Sequence, residues 1–497
     1  MPNSMTIATV DLGSNSFHLA IARVRQDGRV KVIDTLKEPV RLRMGLDEDG
    51  SISEAAQTRA LECLARFEQR LRGVDPDHIR AVGTNTLRSS KNSYAFLEKI
   101  SQTLKVPIDI IGGREEARLI YKGVAQHLPR SRKRNFVVDI GGGSTEFVIG
   151  TNNEPDVMES RELGCVTFSM KYFPDGNITR RGFNRAMVHV GRELQRYHAT
   201  FSGENWERAV GASGTIKAIG NVIAAMTNGD NIITLEALDA IRDRLFEAKK
   251  MSNGLFAGLR EDRVPVFPGG FSILYGIFHE LSIPKMLVSQ QSLRDGVIYE
   301  MVGREQDHDI RVASVKAMAG FYGVDPVQSE RVRNLALQLF PQVSHALLHR
   351  RDMARKILGW AADLHEIGLA LAHSGYHKHG GYLLLNTDMD GFSKIEQGLL
   401  SFLVVNHRKR LKTDNLPYEN VFDWPLVFVF RLAFLFCRDR SDRPLPNIEI
   451  DWEERNIYLS VSPDWLADHP LTRHDLELEQ GYWQRENFAL HLNKEVP

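Results

Sequence analysis

The chain contains little cysteine and no excess charge of either sign. Its three cysteines, Cys63, Cys165 and Cys437, are far apart in a chain of 497 residues, which argues against a disulfide framework or a zinc cluster. Lysine plus arginine and aspartate plus glutamate each number 63, so the formal net charge is zero. Bulk charge therefore gives no indication of a nucleic-acid partner, and any basic surface must be local.

The sequence also has no long apolar run and no signal of export. The N-terminus lacks a basic segment followed by an apolar core, and Arg431 interrupts the apolar stretch 425–437. Neither a signal peptide nor a membrane span is therefore expected. We expect a cytoplasmic protein, with peripheral attachment to a membrane as the open alternative.

The length and the pattern of elements predict several domains, because a single core does not extend over so many residues. Strand-like and helix-like segments alternate up to about residue 306, and a weak internal repeat divides them into two α/β halves. Helical periodicity dominates afterwards. We predict domains at 1–125, 126–306 and 307–497, the last ending in a small mixed α/β tail.

Two short stretches have the same design, and both predict a phosphate-binding turn. Residues 11–17 read Asp-Leu-Gly-Ser-Asn-Ser-Phe, and residues 139–145 read Asp-Ile-Gly-Gly-Gly-Ser-Thr. Each follows an apolar β-branched run and leads into another. Glycines let the backbone approach an anion, and the hydroxyl groups can bind its oxygens. The aspartate at the end of each strand could hold Mg²⁺ beside those oxygens.

These stretches belong to a larger set of motifs that occur in order along the first 300 residues. The set is Asp11–His18, Gly83–Arg88, Gly113–Arg118, Asp139–Glu146, Gly211–Thr215 and Leu293–Gly296. Together they resemble the exopolyphosphatase / guanosine pentaphosphate phosphatase (Ppx/GppA) family of the actin, Hsp70 and sugar-kinase superfamily. The resemblance implies two actin-like (ribonuclease H-like) α/β domains with a catalytic cleft between them. A mostly helical, HD-like C-terminal region with a small α/β tail would follow.

The resemblance also assigns the catalytic and metal-binding residues. Glu116 would be the base or the carboxylate that orients the attacking water, and Asp139, Asp11 and Glu146 would hold Mg²⁺. Each assignment has a structural alternative. Acidic residues are common in the first turn of a helix because the helix dipole favours them, and an aspartate can cap its own turn.

The remaining expected site residues would bind phosphate oxygens. They are Ser14, Asn15, Ser16, Arg88, Gly142, Gly143, Ser144, Thr145, Gly211, Ser213, Gly214 and Thr215. Arg88 suits bidentate contact with phosphate, although a surface salt bridge is its alternative. Arg263 and Arg294 are interpreted as structural residues or as residues at the rim of the pocket.

The C-terminal region contains many histidines and a basic run. His365-Glu366 and His407 resemble an HD-type metallophosphohydrolase site, but Glu366 replaces the usual aspartate and only His345 or His349 could supply the upstream ligand. We therefore expect an HD-like remnant that binds substrate or builds an interface. Basic runs at 130–134, 350–356 and 408–412 would fit a channel for a polyanion. Its candidate residues are Arg408, Lys409, Arg410, His377 and His379.

The motifs favour a Mg²⁺-dependent exopolyphosphatase that releases orthophosphate from inorganic polyphosphate. The alternative is a 5′-phosphohydrolase that converts guanosine pentaphosphate (pppGpp) to ppGpp. An actin-fold kinase and a non-enzymatic alarmone sensor fit the motifs less well. No nucleic acid is expected as a partner, and the resemblance implies a homodimer.

Overall fold

The computed structural model describes residues 5–25, 29–227, 229–305, 309–347, 351–413 and 423–493. His349 and Arg350 therefore lie outside the described residues. Backbone contacts divide the chain into two compact units, Met1–Asp309 and Ile310–Pro497. The finer division at residue 125 stays a prediction. Within the described ranges, no helix is both long and apolar enough to cross a membrane.

The first unit contains two sheets. Its strands are β1 Met5–Leu12, β2 Phe17–Val24, β3 Val30–Glu38, β4 Ile79–Gly83, β5 Ile108–Ile110, β6 Arg134–Ile140, β7 Thr145–Thr151, β8 Glu154–Arg161, β9 Arg208–Ala212, β10 Ile233–Thr234 and β11 Lys285–Val288. One sheet has the order β3-β2-β1-β4-β5 and the other has the order β10-β11-β9-β6-β7-β8.

The two sheets repeat one topology. In the first sheet, β1, β2 and β3 form an antiparallel meander, and β4 and β5 continue from β1 as parallel neighbours. In the second sheet, β6, β7 and β8 form the meander, and β9 and β11 continue from β6 in the same way. The weak sequence repeat therefore corresponds to two α/β halves of matching construction.

Helices surround both sheets. They are α1 Glu54–Leu71, α2 Asn85–Ser89, α3 Ser93–Leu104, α4 Gly113–Ala125, α5 Cys165–Tyr172, α6 Arg180–Leu194, α7 His198–Phe201, α8 Ser213–Thr227, α9 Leu235–Ala248, α10 Phe267–Leu281 and α11 Leu293–Glu305. Helix α1 begins after Ser53, whose side chain accepts a hydrogen bond from the Ala56 N–H. Helix α6 ends at Leu194, and a short 3₁₀ turn separates it from α7.

Two of these helices lie between the sheets and share one apolar core. That core includes Ile7 of β1, Val137 of β6, Ile120 of α4 and Val297 of α11, all buried. The opposite face of the first sheet packs in a separate core through alternate residues such as Val10. Helices α4 and α11 therefore hold the two sheets together at the centre of the unit.

The second unit is mostly helical and ends in a small sheet. Its elements are α12 Ile310–Phe321, α13 Pro326–Val343, α14 Arg351–Leu364, α15 Tyr376–Asn386, α16 Lys394–Asn406, α17 Trp424–Phe436, β12 Ile448–Glu453, β13 Asn456–Val461, α18 Pro463–Asp468, α19 Pro470–Arg485 and β14 Ala489–Leu492. The three strands have the order β12-β13-β14. The expected small mixed tail therefore exists, and it packs on the helical core of this unit.

Candidate active site

A cavity of about 230 Å³ in the first unit collects residues from both sheets. Most of the residues expected to bind substrate line it: Asp11, Ser14, Asn15, Ser16, Glu116, Asp139, Gly142, Gly143, Ser144, Ser213, Gly214 and Thr215. These residues come from six different elements or turns. The motifs therefore converge in space, as expected for parts of one binding site.

The two predicted phosphate-binding turns face each other. One connects β1 to β2 and the other connects β6 to β7, as the strand–turn–strand pattern predicts. Their backbones approach closely, since a Cβ atom added to Gly142 would stand 2.8 Å from Cβ of Ser14. Ser14 is fixed by a hydrogen bond of 2.7 Å that Thr86 Oγ1 donates to its Oγ. An anion between the turns would therefore meet hydroxyl and backbone groups from both halves of the unit.

Glu146 lies beside Asp139 in the second sheet. The two residues are direct partners in the β6–β7 pairing, and Ser160 of β8 is the next residue in the row. Ser160 Oγ donates a hydrogen bond of 2.8 Å to Glu146 Oε1, and only 1% of Glu146 is exposed. Glu146 thus stands behind the cavity wall, beside the carboxylate of Asp139.

Glu116 lies in the first turn of α4 and faces the cavity. Arg88 holds it from behind, because its Nη1 lies 3.4 Å from Glu116 Oε2 and 2.7 Å from the carbonyl oxygen of Ile111. Glu115 points elsewhere, since both of its carboxylate oxygens accept hydrogen bonds from Arg118 at 2.7 and 2.8 Å. Of the two adjacent acids, Glu116 is therefore the one available to a substrate.

Burial raises the pKa values of all four carboxylates, and repulsion by neighbouring carboxylates raises those of Asp11, Asp139 and Glu146 further. Burial and the nearby Glu116 charge raise the pKa of Asp11 to about 7, and burial, Glu116 and Asp11 raise that of Asp139 to about 7. Burial raises the pKa of Glu116 above its usual value, against the opposing effect of Arg88. Burial, Glu116 and Asp139 raise that of Glu146 as well. A bound cation would relieve this repulsion.

The carboxylates fit a hard cation that is shared with the substrate. They offer only oxygen ligands, and the buried Asp11 Oδ1 has no hydrogen-bond partner among the described residues. No group of three or more His, Cys, Asp or Glu in the described part of the chain is arranged to hold a metal ion by itself. This combination suits Mg²⁺, which proteins commonly bind through one or two carboxylates, waters and substrate phosphates.

Several basic side chains lining the cavity were not expected from the sequence as binding residues. These are His18, Lys37 and Lys217, with Arg263 and Arg294 on the same wall. His18 is neutral, because burial and the Arg294 charge lower its pKa well below its usual value. His18 pairs with Asp11 across β1–β2, and Lys37 is the next residue in that row on β3. Burial, Arg263 and Arg294 lower the pKa of Lys37 to about 8. The cavity therefore combines an acidic floor with a cationic wall, as expected for a polyanion bound with a metal ion.

The third glycine turn, at residues 211–215, adopts a strained conformation. Ser213 has a φ of 82°, in the left-handed region, and its Oγ accepts hydrogen bonds from the N–H groups of Thr215 and Ile216. Helix α8 begins at Ser213. Strain of this kind often accompanies a binding function. Gly211 lies in β9 and Thr145 is the first residue of β7. The Thr145 Oγ1 donates a hydrogen bond to the carbonyl oxygen of Leu163.

In the second unit, His365, His377 and His407 form a buried cluster. The rings of His365 and His407 are 5.5 Å apart, and those of His377 and His407 are 6.3 Å apart. Glu366 is held by an ion pair with Arg440, which leaves it poorly suited to bind a metal. Of the expected channel residues, Arg408 and Lys409 line a small pocket together with His407. The side chains of Lys409 and Arg410 are exposed to solvent. Their role as a channel stays a prediction.

Comparison with known proteins identifies relatives along the whole chain. The sequence pattern of the Ppx/GppA phosphatase family matches residues 20–305, and that of Ppx/GppA phosphatase, domain III, matches residues 310–480. A guanosine-5′-triphosphate,3′-diphosphate pyrophosphatase of Vibrio cholerae is 36% identical over 96% of both chains. A protein of the same name from Pseudoalteromonas translucida is 35% identical over 99% of both chains.

Solved structures match about 60% of the chain. An exopolyphosphatase from Cytophaga hutchinsonii is 26% identical with a TM-score of 0.55, covering 60% of this chain and 98% of that one. The Aquifex aeolicus member of the Ppx/GppA family is 24% identical with a TM-score of 0.52, covering 61% of this chain and 99% of that one. These likenesses agree with the repeated sheet topology and support an actin-like fold. From the full-length matches, we conclude that the chain belongs to the Ppx/GppA phosphatase family.

Proposed function

We propose that this protein hydrolyses the terminal 5′-phosphoanhydride of guanosine-5′-triphosphate,3′-diphosphate and releases orthophosphate. The chemistry is supported by one geometric observation: a buried carboxylate, Glu116, faces two opposed phosphate-binding turns across a single cavity. The choice of substrate is supported by relatives of that name at 34–36% identity over nearly the full length. The substrate that the sequence analysis ranked second is therefore the better supported one.

The residues of the cavity suit the successive requirements of phosphoryl transfer. The turns carrying Ser14 and Ser144 would bind the oxygens of the terminal phosphates through hydroxyl and backbone groups. Glu116 would accept a proton from the attacking water or orient that water in line with the bond that breaks. Its raised pKa brings it nearer to neutral pH, which favours proton transfer.

Two further groups would support Glu116. Arg88, whose guanidinium contacts the Glu116 carboxylate, would keep that carboxylate aimed at the cavity. On the cationic wall, Arg294 would balance the charge that remains on the leaving phosphates. Neither residue needs to move to perform this role, because Arg88 already contacts Glu116 and Arg294 already lines the cavity.

Mg²⁺ is part of this proposal. Asp11 and Asp139 would hold the ion at the cavity floor, and Glu146 would support Asp139 from the neighbouring strand. When bound, the ion would neutralise phosphate charge and polarise the phosphoanhydride. Its presence would also keep the buried carboxylates in their ionised form, which their raised pKa values otherwise oppose.

Exopolyphosphatase activity is the second candidate. It is favoured by the structural likeness of about 60% of the chain to an exopolyphosphatase at 26% identity. The same turns, carboxylates and cationic wall would accept the end of a linear polyphosphate. The two candidates therefore share a mechanism and differ in the part of the substrate beyond the cleaved bond.

A direct comparison of substrates tests the proposal. Purified protein with Mg²⁺ is given guanosine pentaphosphate and long-chain polyphosphate in parallel, and kcat/KM for orthophosphate release is measured. We expect the larger value with guanosine pentaphosphate. A larger value with polyphosphate would favour the second candidate, and no release from either substrate would reject the proposed function.

A further inference from the structure

Helix α4, which carries Glu116, is joined to helix α11 by an unusually close contact. A Cβ atom added to Gly296 of α11 would stand 1.7 Å from the carbonyl oxygen of Leu119, and one added to Gly123 of α4 would stand 2.5 Å from that of Ser292. Only glycine permits backbones to approach so closely. Such a contact fixes the distance between two helices, but small side chains alone resist sliding and rotation weakly.

A buried ion cluster connects the same two helices. Glu300 of α11 is 2% exposed, and its Oε2 accepts a hydrogen bond of 2.7 Å from Lys122 Nζ of α4. Arg118 Nη2, also on α4, lies 3.2 Å from the same oxygen. Arg118 in turn holds Glu115, the neighbour of Glu116, through two hydrogen bonds. A continuous chain of charged contacts therefore runs from Glu300 to the residue next to Glu116.

The electrostatics of this cluster favour a charged Glu300. Burial alone would raise its pKa, but Arg118, Lys122 and Arg304 outweigh burial and lower the pKa to about 2. The carboxylate is thus ionised throughout the physiological range. Since the glutamate lies on one helix and both Arg118 and Lys122 lie on the other, the ion cluster resists rotation of α4 about its own axis.

We propose that Glu300 is a positioning residue for Glu116, which it acts on through Arg118, Glu115 and the first turn of α4. This inference rests on the proposed function, in which Glu116 acts on the attacking water. The phosphate-binding turns belong to other elements, β1–β2 and β6–β7. Loss of the Glu300 charge should therefore impair the chemical step more than substrate binding, because displacement of a catalytic group by about 1 Å can cost 100-fold in rate.

The test combines Glu300→Gln with Glu116→Gln in a double-mutant cycle, using guanosine pentaphosphate and Mg²⁺. We expect Glu300→Gln to lower kcat roughly 10- to 100-fold with KM changed less than about threefold. In the Glu116→Gln background, the same change should lower kcat by less than about twofold, because the positioned group is already lost. Glu300→Asp, which keeps the charge, should recover part of the rate.

Two outcomes would overturn the inference. One is an equal loss of kcat from Glu300→Gln with and without the Glu116 carboxylate, and the other is a normal kcat in folded Glu300→Gln. Glu68→Gln is the matched control, because Glu68 also binds two cations, Arg72 and Lys105, but lies on the outer helix α1. If Glu300→Gln does not fold, the cycle is performed with Lys122→Met, which removes one of the two α4 cations. Failure of the proposed function would be recognised separately, since wild-type protein would then be inactive or Glu116→Gln would keep the wild-type rate.

Discussion

At the scale of single residues, the site is dominated by carboxylates that are buried close to one another. Asp11 and Asp139 lie at the ends of β1 and β6, and each has a pKa raised to about 7 by burial and by neighbouring charge. Ionising these buried groups lowers the stability of the metal-free protein at neutral pH, and a bound cation would offset that loss. A site that binds Mg²⁺ with its substrate commonly has this property.

Asp139→Asn should stabilise the metal-free protein at high pH. The pKa of Asp139 is about 7 in the folded protein against 3.8 ordinarily, so its contribution to stability is complete below about pH 4 and is lost as the pH rises through about 7. Asparagine carries no charge at either extreme. In melting experiments with a chelator, we expect the variant to exceed wild type by roughly 2 °C or more near pH 8, and by less near pH 5.

The same melting experiments include Mg²⁺ as a second condition. Mg²⁺ should raise the melting temperature of wild type more than that of Asp139→Asn, because the variant has lost one of the two proposed ligands. The account of the carboxylate cluster would be wrong if the variant melted below wild type near pH 8 without metal. An equal effect of Mg²⁺ on both proteins would contradict the role of Asp139 as a ligand.

At the scale of elements, the two sheets use the same construction with different side chains. The row Asp11, His18 and Lys37 crosses β1, β2 and β3, and the row Asp139, Glu146 and Ser160 crosses β6, β7 and β8. Both rows begin with an aspartate, but the first row ends in a lysine, whereas the second row has a further carboxylate. The repeated fold therefore brings both aspartates and Lys37 to the same cavity.

Gly164→Ala should disturb the turn between β6 and β7. A Cβ atom at Gly164 would stand 2.2 Å from the carbonyl oxygen of Gly142 and 2.4 Å from Cα of Gly143, and both are backbone atoms that cannot rotate away. We expect kcat/KM for guanosine pentaphosphate to fall roughly 10-fold or more, since catalytic geometry tolerates little displacement. Steady-state kinetics of the purified variant measure this effect.

Gly73→Ala is the matched control for that substitution. A Cβ atom at Gly73 meets nothing within 4 Å, so this variant should have wild-type kinetics. If Gly164→Ala were folded and as active as Gly73→Ala, the β6–β7 turn would not need its observed position for catalysis.

Local sequence predicted the strand–turn–strand elements well and the cationic wall poorly. Asp11 and Asp139 could be identified because each ends an apolar strand and begins a glycine turn, a pattern that is contiguous in the chain. Lys37 and Lys217 could not, because they reach the cavity only through the register of β2–β3 and through the second turn of α8. Arg88 was expected on phosphate but lies against Glu116, since helix α2 ends beside the start of α4.

At the scale of the whole molecule, the first unit contains the candidate active site, and the second unit is mostly helical and has exposed Lys409 and Arg410 side chains. Solved relatives cover about 60% of the chain. The domain III pattern and the buried histidine cluster of the second unit indicate a defined fold. Its contribution to substrate choice is testable by substitution of exposed charges.

Lys409→Gln/Arg410→Gln tests the predicted polyanion channel. Both side chains are exposed, so the double substitution should leave folding and the hydrolysis of guanosine pentaphosphate unchanged. If these charges guide a long polyanion, KM for long-chain polyphosphate should rise. The dependence of that KM on salt should also flatten by up to about one unit of log–log slope per charge removed. Lys99→Gln/Lys105→Gln, in the first unit, is the control, and equal effects of both pairs would contradict a channel.

The central claim is that Glu116 acts on the attacking water in a phosphohydrolase site, and one measurement tests it most directly. Orthophosphate release from guanosine pentaphosphate is compared between Glu116→Gln and Glu236→Gln. Glu236 is also an acid in the first turn of a helix, α9, but it is exposed and outside the cavity. We predict that Glu116→Gln lowers kcat roughly 100- to 10,000-fold, whereas Glu236→Gln keeps the wild-type rate. A Glu116→Gln protein with near wild-type turnover would contradict the account, because Glu116 would then serve only the helix dipole, as Glu236 does.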